Sequence, residues 1–106
     1  MTRMLNKRQD ARTRKIYAAL KLTFPNLPPL ADTVYVYNPV AIRLRVIDER
    51  FEGKDFVERE IIIKQALNTL PREVTEDITL LVTVTPEEAA EPGIHYQAFD
   101  DPSLDF

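Results

Sequence analysis

Cysteine is absent from the 106 residues. That removes disulfides, thiolate metal ligands, ligation of an iron–sulfur cluster by the chain's own thiols, and cysteine nucleophiles. A small domain that holds together without such staples suits a reducing compartment. Glycine is nearly absent too: with Gly53 and Gly93 alone there is no glycine-rich phosphate loop. His95 is the only histidine, and the sequence shows no serine–histidine arrangement and no metal-site motif. No apolar run approaches the roughly 20 residues of a membrane span. The basic start (Arg3, Lys7, Arg8) leads into a polar stretch at residues 10–15 where a signal peptide needs its apolar segment. A cytoplasmic, non-enzymatic protein with no membrane contact is the expectation.

What is present suffices for one domain. The composition is 44% hydrophobic, and a chain of this length buries roughly two-thirds of its unfolded surface, enough for a single core. The net charge of −3 conceals an asymmetry. Residues 1–21 carry seven bases against Asp10 alone, a local +6. Residues 22–106 carry seven bases and sixteen acids, a local −9. From Glu87 onward there are only acids. A basic head and an acidic tail can meet within one molecule or between two.

Hydrophobic periodicity predicts the order α–β–β–α–β–α. A first helix spans residues 7–21, with Asn6 as its cap and Gln9 three residues on. Ile16, Leu20 and Phe24 form its buried stripe. Basic residues in its opening turns oppose the helix dipole, so its start should fray. Two alternating strands follow, residues 33–37 (TVYVY) and 41–48 (AIRLRVID). A three-residue loop over residues 38–40 pairs Val36 with Ile42 and Tyr35 with Arg43, the register that keeps apolar and charged side chains on opposite faces. Asp55 and Glu58 make a capping box for a second helix that Pro71 closes near Leu70, with Phe56, Ile63, Leu67 and Leu70 on one face, widened by Ile62 and Ala66. A third strand spans residues 78–85 with Ile78, Leu80, Val82 and Val84 inward. Thr85-Pro86-Glu87-Glu88 then starts a short helix that ends before Pro92–Gly93. The class is therefore α+β: a three-stranded mixed sheet with both long helices on one face. Residues 1–93 form the domain, with a frayed basic start at 1–6, and residues 94–106 an acidic, loosely ordered tail.

Several of these residues resemble a known family. Ile47-Asp48-Glu49-Arg50-Phe51-Glu52-Gly53-Lys54 is similar to the strand-to-helix turn of BolA proteins, approximately S-D/E-x-F-x-G. Phe56-Val57-Glu58-Arg59 resembles the opening of that family's main helix, and Thr83-Val84-Thr85-Pro86-Glu87-Glu88 its closing strand and cap. The resemblance covers roughly half of the chain and implies a non-catalytic, type II KH-like adaptor. Such proteins partner monothiol glutaredoxins around a shared 2Fe–2S cluster, and some act in DNA binding and stress-linked transcription. The family's cluster-binding histidine falls at Glu60 in this chain, and the loop that supplies the second ligand is replaced by the turn at Asn38–Pro39. An oxygen donor suits iron–sulfur chemistry poorly, so no cofactor and no metal are assigned. Glu60 is expected to pair with Lys64 at i+4. His95 would need Glu91, Asp100 or Asp101 as co-ligands, at no known metal-loop spacing; a solvated tail histidine is the plainer reading. The KH-type G-x-x-G loop is missing.

Two surfaces are candidates for binding. With Val34, Val36, Ile42, Leu44, Val46, Leu80 and Val82 in the core, the open face of the sheet shows Tyr35, Tyr37, Arg43, Arg45, Thr79, Leu81 and Thr83. Tyrosine with arginine suits a protein interface, a single-strand nucleic-acid platform, or plain cross-strand pairing on a solvated sheet. Arg8, Arg12 and Lys15 fall on one side of the first helix, a phosphate-contacting stripe or a dock for the acidic tail. The expected function is an adaptor that binds a protein partner, or itself, without a cluster. The competing reading is a nucleic-acid-binding regulatory domain, which the pI near 5.1 disfavours.

Overall fold

The computed structural model describes residues 7–91 and 99–100. Helix α1 (Ala11–Thr23) leads through a short turn of helix, α2 (Leu30–Thr33), into the hairpin β1 (Val34–Asn38) and β2 (Ala41–Ile47). A single 3-10 turn (Glu49–Phe51) precedes α3 (Phe56–Ala66). Then come the one-turn α4 (Arg72–Thr75), strand β3 (Ile78–Val84) and α5 (Pro86–Ala90). The sheet order is β1-β2-β3, antiparallel between the first pair and parallel between the second. The α+β class and the order of the main elements are those expected from the sequence. The one-turn helices α2 and α4 are additions.

Helix α1 begins four residues later than expected. Asp10, not Asn6, is the N-cap: its carboxylate accepts from the Arg12 and Thr13 amides, while the Thr13 hydroxyl accepts from the Asp10 amide. Such a box contributes about 1 kcal/mol and places a negative charge at the helix end that the sequence otherwise crowds with bases. Residues 7–9 are extended instead, and the Val36 amide donates to the Arg8 carbonyl at 2.9 Å. Gln9 Nε2 donates to the Val34 carbonyl at 2.8 Å. The segment thus covers the outer edge of β1, which would otherwise offer unpaired backbone groups.

The hairpin register is the expected one, Val36 opposite Ile42 and Tyr35 opposite Arg43. The loop differs. Asn38 pairs with Ala41, leaving a two-residue turn at Pro39 and Val40, and an irregularity at Tyr37 absorbs the extra residue. The Asn38 side chain accepts from the Val40 amide at 3.0 Å, an Asx turn.

Strand β3 departs further. Ile78 pairs with Ile42 on the helix-covered side, but the register then shifts, so that Leu80, Val82 and Val84 stand beside Arg43, Arg45 and Ile47. Parallel partners point to the same side, so the expected parity is reversed beyond Thr79. Leu81 and Thr83 face the helices next to Leu44 and Val46, and Leu80 and Val82 face away. Thr83 is buried there, with its hydroxyl lacking a hydrogen-bond partner among the described residues.

One hydrophobic core lies between the sheet and the helices. Ile16, Leu20 and Phe24 of the α1 region meet Val34, Val36, Ile42, Leu44 and Val46, with Phe51, Ile63, Leu67 and Val74 closing it. Helix α3 carries the expected Asp55–Glu58 capping box, but it ends at Ala66 rather than near Leu70, and Phe56 is exposed instead of buried. Gly53 takes φ +74°, the left-handed turn that swings the chain from Phe51 into α3. Thr85 and Glu88 cap α5 reciprocally, as expected.

Candidate functional site

The second face of the sheet is not open. Tyr35 is fully buried, and Arg43 and Arg45 are 1% and 4% exposed. Lys7 and the Phe99–Asp100 segment lie over them. The Tyr35 ring meets Phe99 edge to face at 5.0 Å between centroids. Its hydroxyl donates to the Phe99 carbonyl and accepts from Arg43 Nη1 at 3.0 Å. Burial raises the Tyr35 phenol pKa despite the opposing pull of Arg43, so the hydroxyl keeps the proton it donates. The Arg45 guanidinium stacks over the Phe99 ring at 4.3 Å, reaches Asp100 at 3.1 Å, and donates to the Asp32 carbonyl at 2.8 Å. Lys7 completes the clamp on Asp100 at 2.6 Å. Tyr37, half-buried, lies under the Arg43 guanidinium at 3.7 Å.

These contacts correct two expectations. The Tyr35/Tyr37/Arg43/Arg45 face is covered by the chain itself, because an arginine pair beside an aromatic ring is a fitting receptor for an aromatic–acidic segment. Phe99, expected within a loosely ordered tail, is fully buried. Leu81 and Thr83, expected with Thr79 beside the tyrosines, turn to the helices instead, and Thr79 falls at the register shift. The basic head and acidic tail do meet within one molecule, through Lys7 and Asp100.

The basic stripe on α1 is also redrawn. Arg8 lies before the helix on the β1 edge and is exposed. Arg12 points inward to Asp10 and Asp77, at 2.6 Å each, and to the Pro39 carbonyl. Burial alone would raise the Asp10 pKa, but hydrogen bonds from Arg12 and the Thr13 amide outweigh it and hold the carboxyl below its usual range. Lys15 is exposed on α1.

Glu60 forms the expected i,i+4 pair with Lys64 at 3.3 Å. At the place where the resemblance puts the family's cluster ligand stands this carboxylate, and the β1–β2 turn supplies Asn38, Pro39 and Val40. That donor set contains no thiolate or imidazole and does not fit a 2Fe–2S cluster. Among the described residues no group of three or more His, Cys, Asp or Glu side chains is placed to hold a metal ion. His95 lies outside the described residues, as do residues 1–6 and most of the tail.

The sequence reading missed two features of α3. Arg59 ties the helix to its surroundings: it donates to the Lys54 and Thr83 carbonyls and holds Glu88 through both carboxylate oxygens, at 2.6 and 3.2 Å. Those bonds from Arg59, with the Thr85 cap, keep the Glu88 carboxyl below its ordinary range. Around this anchored helix, Phe56, Val57 and Ile61 are 59%, 63% and 49% exposed. Val57 and Ile61 stand one turn apart and form a contiguous apolar strip. The inward stripe of Ile63 and Leu67 obscured it, because α3 is apolar on more than one side. A groove of about 500 Å³ runs along its flank, floored by Leu44, Ile63, Leu67, Ile78 and Leu81 and rimmed by Glu60, Lys64 and Arg72.

The fold and surfaces define an α+β domain with a self-covered sheet face and an outward apolar helix. No helix among the described residues is long and apolar enough to cross a membrane. No protein-family model matches the sequence, and no curated protein does. A solved structure with a similar arrangement is BolA1 from Arabidopsis thaliana, at 18% identity and a TM-score of 0.49, covering 79% of this chain and 100% of that one.

Proposed function

We propose that the chain is a non-catalytic interaction module, acting in the cytoplasm, that binds a protein partner through the outer face of α3. The observation that carries this reading is the exposure of Phe56, Val57 and Ile61 on a helix fixed by its capping box and by Arg59. Large apolar side chains held rigidly in water favour burial against a partner, each with about 1 kcal/mol still to gain. Glu52, Asp55, Glu58 and Glu60 flank the strip against Lys54 and Lys64, so the fitting partner presents an apolar patch ringed by basic residues. The adjoining groove suits an anchoring side chain. The family resemblance makes an apo monothiol glutaredoxin the first protein to titrate.

The test compares the tagged full-length chain with a Val57→Asp/Ile61→Asp variant. Proteins retained from native lysate by the first and lost by the second are purified and titrated, alongside apo glutaredoxin. A partner that binds the wild type and loses at least ten-fold affinity for the variant supports the reading. If every partner binds both proteins equally, the surface lies elsewhere and the reading fails. Nucleic-acid binding through Arg8 and Lys15 is the competing reading; its signature is a steep loss of affinity between roughly 50 and 200 mM salt.

A further inference from the structure

The contacts on the second sheet face have the form of a peptide-recognition site. Three cations, Lys7, Arg43 and Arg45, converge with Tyr35 on two consecutive residues, and each feature of that dipeptide has its own partner. The Phe99 ring meets the Tyr35 ring edge to face and lies against the Arg45 guanidinium. The Phe99 carbonyl accepts from Tyr35. The Asp100 carboxylate is held by Arg45 on one oxygen and Lys7 on the other. Ring, carbonyl and carboxylate are recognised separately, and arginine held in a buried setting is the residue best suited to read a carboxylate beside an aromatic plane. A generic hydrophobic lid would need none of the polar contacts.

We infer that Lys7, Tyr35, Arg43 and Arg45 form a recognition site for an aromatic–acidic dipeptide, occupied in cis by the chain's own Phe99–Asp100 and open in trans to the same segment of a second copy. This inference is independent of the α3 surface, which lies on the opposite side of the core. A tethered segment competes at an effective concentration on the order of millimolar, so the wild-type site is self-blocked toward free peptide.

The experiment uses the full chain carrying Phe99→Ala/Asp100→Ala and a fluorescein-labelled peptide of residues 96–103, followed by fluorescence anisotropy. The variant is expected to bind the peptide at least ten-fold more tightly than wild type. A peptide with alanine at position 99 should not bind, and adding Arg45→Met to the variant should abolish the gain. Circular dichroism establishes that each variant is folded. Should the double variant not fold, Asp100→Asn removes only the charged contact and is expected to raise peptide affinity above wild type by a smaller factor. Absence of saturable binding to whichever folded variant is used, or equal binding to wild type, overturns the inference.

Discussion

Replacing Phe99 with alanine tests whether the tail is part of the fold. The ring is fully buried, sits edge to face with Tyr35, and lies under Arg45. Truncating a buried phenylalanine costs about 3–5 kcal/mol in a core that cannot collapse, of which the aromatic pair accounts for roughly 1 kcal/mol. Here the segment lies outside the sheet and the helix layer, so the loss is capped at the free energy of docking it. Undocking also bares Tyr35, which raises that cap. The expected cost is therefore about 2–4 kcal/mol, a large share of the roughly 5–15 kcal/mol that holds a domain of this size. At about 4–8 °C per kcal/mol, the melting temperature should fall by roughly 10–30 °C. Urea unfolding followed by circular dichroism measures it directly, with the tyrosine near-ultraviolet signal reporting Tyr35. A loss below about 1 kcal/mol refutes the packing described for this face.

Four further outcomes are expected. Thr83→Val replaces a buried hydroxyl lacking a partner among the described residues by a methyl group of similar shape, so stability should rise by about 1 kcal/mol; a loss in urea unfolding argues against the shifted β3 register. Gly53→Ala forces a Cβ into the left-handed region with nothing else within 4 Å, so the cost is backbone alone, about 1 kcal/mol by thermal melt. Asp10 and Glu88 both have pKa values lowered in the fold. Their contribution is present above the unfolded carboxylate range near about 4 and fades as pH falls below it, so urea midpoints should drop between pH 6 and pH 3, and less so in Asp10→Asn/Glu88→Gln. Val57→Ser/Ile61→Ser should cost well under about 1 kcal/mol beyond helix propensity, because the two residues are 63% and 49% exposed; a large loss would place them in the core.

The hairpin register was legible because its two faces differ in chemistry: only one pairing sets Val36 with Ile42 and Tyr35 with Arg43. The caps at Asp55 and Thr85 were legible for a similar reason, a short side chain followed three residues on by Glu. The start of α1 was not. Asn6–Gln9 and Asp10–Thr13 both have cap-like spacing, and the apolar stripe begins only at Ile16, too late to decide between them. In β3 the run Leu80-Leu81-Val82 is apolar in both parities, so one irregular residue at Thr79 reverses the faces without any change in pattern. Phe99 was invisible for a different cause. Tyr96, Phe99 and Phe106 are scattered through an acidic tail with no period, and the place of Phe99 is set by Arg43 and Arg45 more than fifty residues away. The signal that could have found it was the pair of strand arginines, which need an acidic partner once buried. The outer strip of α3 was hidden by its inner one.

The closure of the sheet by the chain's own tail is tested most directly by a two-dimensional NOE spectrum of the full-length protein. Ring protons of Tyr35 and Phe99, stacked edge to face at 5.0 Å between centroids, are expected to give strong cross-peaks and ring-current-shifted resonances. Phe99 ring signals at random-coil positions, with no cross-peak to Tyr35, would contradict it.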